Sequence, residues 1–126
     1  MIRKIFKWAD KHIYLVKIAA AIWVGMIIVL CLMPSIDLPK KIEIPFLDKI
    51  AHFIFYFVLC LFVLLIFKIP KWTRHTFYVI ILLLGFSLFI EIMQYLMPWE
   101  RSFSIADLIA NLSGIIAGIV IFPKQL

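Results

Sequence analysis

Residues 48–70 read DKIAHFIFYFVLCLFVLLIFKIP, an apolar run closed by Pro70 that carries Asp48, Lys49 and His52 at its start. Between His52 and Lys68 the stretch holds no acid or base, and its length matches the ~20 residues a helix needs to cross a ~30 Å hydrocarbon layer. Similar runs occupy 13–33, 77–97 and 105–122, each followed directly by a proline: Pro34, Pro98 and Pro123. Proline in that position is a stop signal, because it cannot continue the helix. With the 50–69 run, this gives four spans. Of the 126 residues, 66% are hydrophobic and the mean hydropathy is +1.13, values that make a bilayer the solvent for most of the chain. The expected fold class is an all-α membrane protein: one domain over 1–126, a compact bundle of four transmembrane helices with both termini on the same side.

The charge balance excludes little beyond soluble classes. Net charge is +6, but the basic residues sit between apolar spans and form no helix-turn-helix, zinc spacing or aromatic-interleaved basic face. Nucleic acid is therefore not expected as a partner. Cys31 and Cys60 fall in different runs, and no Cys-x-x-Cys or Cys/His cluster supports a soft-metal site. No cofactor and no metal is assigned. The first run is longer than a signal-peptide core and lacks a small-x-small end, so it reads as a retained anchor, with Lys17 snorkelling to the interface. Apart from Lys17, eight basic residues flank one side of the spans (Arg3, Lys4, Lys7, Lys11, Lys68, Lys71, Arg74, Lys124) and four the other (Lys40, Lys41, Lys49, Arg101). The positive-inside rule then predicts cytoplasmic termini.

That topology brings the polar residues to one depth in the outer leaflet. Asp48, His52 and Tyr56 recur every four residues on one face of the second span. Glu91 and Gln94 lie in the last turns of the third. Arg101 and Ser104 precede the fourth span, and Ser104 with Asp107 three residues on reads as a helix cap of the capping-box type. Asp107 and Asn111 share a face that Gly114 and Gly118 continue, a Gly-x-x-x-Gly that permits close helix approach. Reversing the orientation would move the cluster to the inner side without dispersing it. Leu32-Met33-Pro34 and Leu96-Met97-Pro98 echo one another, as do the starts of spans two and four, which suggests two related helical hairpins.

Plainer readings stand beside each functional one. Asp48, Lys49 and Arg101 suit a solvated boundary, His52 or Asn111 an ordinary inter-helix hydrogen bond. Tyr56, Tyr95 and Trp99 suit an interfacial aromatic belt. Glu91 is hardest to set aside, because it lies about two turns inside its span, where an unpaired carboxylate is costly. Arg101, His52 and Lys49 are its expected partners.

Taken in order, Asp-Lys-x-x-His-Phe-x-x-Tyr (48–56), Glu-x-x-Gln-x-x-x-Pro (91–98) and Arg-x-Phe-Ser-x-x-Asp-x-x-x-Asn-x-x-Gly-x-x-x-Gly (101–118) resemble the VanZ-like family of small bacterial membrane proteins. The resemblance covers about 33–121. It implies a multi-pass protein of the bacterial cell membrane; the family's name-giving members are associated with teicoplanin resistance, most members have no link to antibiotics, and no established biochemical activity comes with the family. Three readings follow from the residues. In the first, helix N-termini with Lys49, Arg101 and His52 bind an anionic envelope lipid or lipid-linked cell-wall precursor. In the second, a membrane-embedded enzyme uses His52 and a carboxylate as acid and base on a lipid-linked headgroup. In the third, the polar set holds helices or a partner together. The carboxylates could also pair with the cations, or hold a divalent cation with His52 and Asn111. No nucleophile elbow or phosphate loop raises the enzyme reading, and four spans make a thin transport pathway.

Overall fold

A computed structural model describes residues 1–33, 47–97 and 104–123. They form five helices and, among the described residues, no strand: α1 (Ile2–Lys11), α2 (Ile13–Leu32), α3 (Leu47–Phe67), α4 (Arg74–Leu96) and α5 (Ile105–Ile121). Helices α2, α3 and α4 are long and apolar enough to cross a membrane, whereas α5 is a shorter apolar helix of 17 residues. At 1.5 Å per residue α5 reaches about 25 Å, a few ångströms less than the hydrocarbon layer it would cross. Large apolar side chains such as Ile22, Phe77, Leu82, Phe89 and Ile109 lie exposed along these helices. A water-soluble protein does not present such continuous apolar surface.

The helix ends differ from the sequence expectation in instructive ways. Pro34 and Pro98 lie outside the described residues. Helix α3 begins at Leu47, so Asp48 and Lys49 occupy its first turn, and it ends before Pro70 acts. Lys68 takes a left-handed φ of 52°, and the Ile69 N–H closes on the Leu64 carbonyl at 3.2 Å. That is a Schellman stop, with lysine in the place glycine usually fills. Helix α4 starts at Arg74, three residues early, on a reciprocal cap between Thr73 and Thr76.

Helix α1 was not anticipated. Its basic residues read as a charged flank, yet Ala9 is buried and Phe6 packs edge-on against Phe122 with ring centroids 5.5 Å apart. The Asp10 carboxylate reaches Lys68 at 3.0 Å, an exposed pair of small worth. A short helix with one apolar and one basic face is what an interfacial segment requires.

Helices α2 to α5 run up and down. One end of the bundle gathers the C-termini of α2 and α4 with the N-termini of α3 and α5. At the other, Lys71 reaches the Val120 carbonyl and so answers the unsatisfied end of α5. The tightest pairing is α3 with α5. A Cβ at Gly114 would collide with the Phe53 carbonyl oxygen, and one at Gly118 would lie 3.0 Å from the Cys60 Cβ. In lipid there is no hydrophobic drive between helices, so this backbone-to-backbone approach supplies the contact. The Trp23 indole N–H fixes α2 to the same unit through the Phe55 carbonyl at 2.9 Å.

Candidate functional site

The end of the bundle that gathers the α3 and α5 N-termini is polar in an otherwise apolar molecule. Lys49 bridges two carboxylates: its ammonium is 3.2 Å from Asp48 Oδ2 and contacts Asp107 Oδ1. One turn deeper, His52 is buried, and its Nε2 faces Asp48 Oδ1 and Asp107 Oδ2 at 3.8 Å each. Behind it, the Asn111 amide donates to Ser87 Oγ at 2.6 Å, which leaves Asn111 Oδ1 to accept from His52 Nδ1–H at 3.2 Å. A neutral His52 is thereby held in one tautomer, with the Nε2 lone pair turned to the carboxylates. Asp48 forms an open lip (66% of its side chain exposed), Lys49 is partly open at 34%, and His52 and Asp107 form the floor.

Glu91 works differently from its expected role. Its Oε1 accepts from the Ser104 backbone N–H at 2.7 Å, while the Ser104 hydroxyl accepts from the Asp107 N–H at 3.3 Å. The anticipated capping box is thus shared between helices: Glu91 of α4 takes the acceptor's place, and the Asp107 carboxylate is released to Lys49. This gives the buried Glu91 a partner that sequence spacing could not supply. His52 and Lys49 act on it only electrostatically, and Arg101 lies outside the described residues. Its Oε2 and the Tyr56 hydroxyl are buried without a hydrogen-bond partner among the described residues. Tyr56 is buried and packs on Phe86 rather than joining an interfacial belt. Gln94 turns away from the cluster and donates to the Cys31 carbonyl, one of the orphan acceptors that close α2.

Of the residues singled out from the sequence, the structure therefore joins Asp48, Lys49, His52, Asp107 and Asn111 in one network, with Glu91 and Ser104 alongside. Tyr56 and Gln94 are buried nearby in other company, and Gly114 and Gly118 continue below as packing positions. Ser87 was missed; a lone serine in an apolar run carries no signal until Asn111 is seen opposite it.

The Glu91 cap makes a prediction. Glu91→Gln keeps a carbonyl acceptor for Ser104 and is expected to change stability by under about 1 kcal/mol. Glu91→Leu orphans that N–H at the start of α5 and is expected to cost roughly 1–3 kcal/mol. Unfolding in mixed micelles reads both, and a Leu variant as stable as the Gln variant would remove the cap from the account.

Fold and site together define an all-helical membrane protein with a polar cluster at one end of its helix bundle. The family model for VanZ/LLP1 matches residues 2–125, essentially the whole chain, and the protein belongs to that family. No curated protein and no solved structure matches it.

Proposed function

We propose that this membrane protein binds the polar headgroup of an envelope lipid or lipid-linked cell-wall precursor at the Lys49–His52–Asp107 end, and that this end lies in the outer leaflet. One observation carries the reading: the cluster is graded, with an exposed acidic and basic lip over a buried, hydrogen-bonded floor. Helix glue explains His52–Asn111–Ser87 and Gln94–Cys31, but it gives no reason to hold Lys49 and Asp48 open at the surface. The N-termini of α3 and α5 add partial positive charge that suits phosphate oxygens. Against this, the described residues supply three carboxylates for one ammonium and one imidazole. An anionic headgroup consequently enters by exchanging with a carboxylate on Lys49 or through a bridging cation.

A second reading, an embedded enzyme acting on a lipid-linked headgroup with His52 as base, is favoured by the oriented imidazole. The two separate on turnover: binding alone returns the lipid unchanged. The teicoplanin association belongs to the proposal and is read as the inhibitory concentration for cells expressing wild type or Asp107→Asn.

Mass spectrometry of the detergent-extracted protein is expected to find a stoichiometric phospholipid or polyprenyl phosphate. Protein that carries only bulk lipid in membrane proportions would count against the site. For orientation, a cysteine at Glu43 should label from outside the cell and one at Trp72 from the cytoplasm. The opposite pattern would move the site to the inner leaflet.

A further inference from the structure

We propose that Asp48, His52 and Asp107 bind a divalent metal ion, with Asp48 Oδ1, His52 Nε2 and Asp107 Oδ2 as the protein ligands. One donor atom from each residue lies within 4.8 Å of the others, and the imidazole nitrogen is 3.8 Å from both oxygens. Donors bound about 2.1 Å from a common ion sit roughly 3.0–3.5 Å apart, so closure requires each side chain to move about half an ångström to an ångström.

Three features set this apart from an ordinary acidic patch. Lys49 engages the other oxygen of each carboxylate, Asp48 Oδ2 and Asp107 Oδ1, and leaves the two inner oxygens facing His52. The His52 side chain is only 5% exposed, yet its Nε2 has no hydrogen-bond donor or acceptor within bonding distance among the described residues. Two donors from the buried floor, His52 and Asp107, and one from the exposed lip, Asp48, thus turn toward one another, an arrangement that suits a divalent cation. Finally, Nδ1–H is held by Asn111, itself fixed by Ser87, and this outer support is what orients a metal-ligating histidine. One imidazole and two carboxylates suit Mn²⁺, Fe²⁺ or Zn²⁺.

The geometry stands by itself, while the ion's role rests on the headgroup reading. With the ion in place, Lys49 and the metal outweigh Asp48 and Asp107, and its remaining coordination positions would accept phosphate oxygens. That removes the charge conflict between an acidic cluster and an anionic headgroup.

The full chain, purified in detergent and stripped with chelator, would be titrated with Mn²⁺, free ion being followed by electron paramagnetic resonance, with Zn²⁺ as competitor. Saturable binding of one ion per chain is expected. Asp48→Asn, at an exposed position that spares the fold, should weaken it by more than about tenfold. Lys49→Met should tighten it by about tenfold, because a competing ammonium is gone. No saturable binding, or binding indifferent to Asp48→Asn, overturns the inference, and so does a Lys49→Met variant that binds more weakly. Lipid on the same samples is scored separately. Ion binding without specific lipid sinks only the headgroup reading, and specific lipid without ion binding sinks only the metal.

Discussion

Gly114→Leu is expected to abolish the folded bundle, and Gly114→Ala to cost at least the roughly 1–3 kcal/mol of an overpacked core. A Cβ here meets backbone, the Phe53 carbonyl and the Phe57 N–H, so no side chain can rotate away to relieve it. The α3–α5 pair must then separate, and both ends of the polar cluster sit on those two helices. Gly118→Ala is gentler, since its nearest contacts, the Cys60 Cβ and Sγ and the Phe57 carbonyl oxygen, lie at 3.0–3.2 Å and need only a few tenths of an ångström of adjustment. Gly25→Ala and Gly85→Ala meet nothing within 4 Å and should be neutral or slightly stabilising through helix propensity. Detergent unfolding of the five variants reads the series. Equal tolerance at Gly114 and Gly25 would mean that α3 and α5 do not approach as described.

The second large effect is at Asn111. Among the described residues it is the one whose side chain is hydrogen-bonded to both α3 and α4, through His52 and Ser87. Asn111→Leu is close to it in size but leaves the His52 Nδ1–H without an acceptor in the interior. Unsatisfied buried groups cost about 1–3 kcal/mol each, though hydrogen bonds in membrane proteins average nearer 0.6 kcal/mol. A loss of roughly 2 kcal/mol is expected, with His52 freed to turn. Asn111→Asp keeps an acceptor toward His52 and should retain more stability than Leu. An Asn111→Leu protein that melts with wild type would show that the network is ornamental.

The spans were legible because the cost of charge in hydrocarbon forces long apolar runs, and no soluble alternative tolerates them. The pairing of Asp48–His52 with Asp107–Asn111 was legible too, as an echo at four-residue spacing: the two motifs face one another across the α3–α5 contact, with Lys49 on both aspartates and His52 on Asn111. Met33 and Met97 end α2 and α4 in the same extended conformation, as the residue before a proline is constrained to do. What escaped was non-local. Glu91 caps a helix other than its own, and Gln94 serves the end of α2; neither partner is marked by spacing. Helix α1 is too short and too charged to stand out as an apolar run, although Phe6 and Ala9 set against Arg3, Lys4, Lys7 and Lys11 carry its amphipathic period.

The polar end is expected to hold a ligand rather than merely join helices. Retained phospholipid or polyprenyl phosphate, quantified beside melting temperature, tests it for wild type, Lys49→Gln, Arg101→Lys and Gly118→Ala. Lys49→Gln keeps a donor toward Asp107 but removes the charge, and Arg101→Lys removes a bidentate fork. Both are expected to lose most of the specific lipid at near wild-type melting temperature, whereas Gly118→Ala melts earlier and keeps its lipid. Stability losses in Lys49→Gln and Arg101→Lys with lipid retained in wild-type proportion would contradict it, and leave the cluster as helix glue.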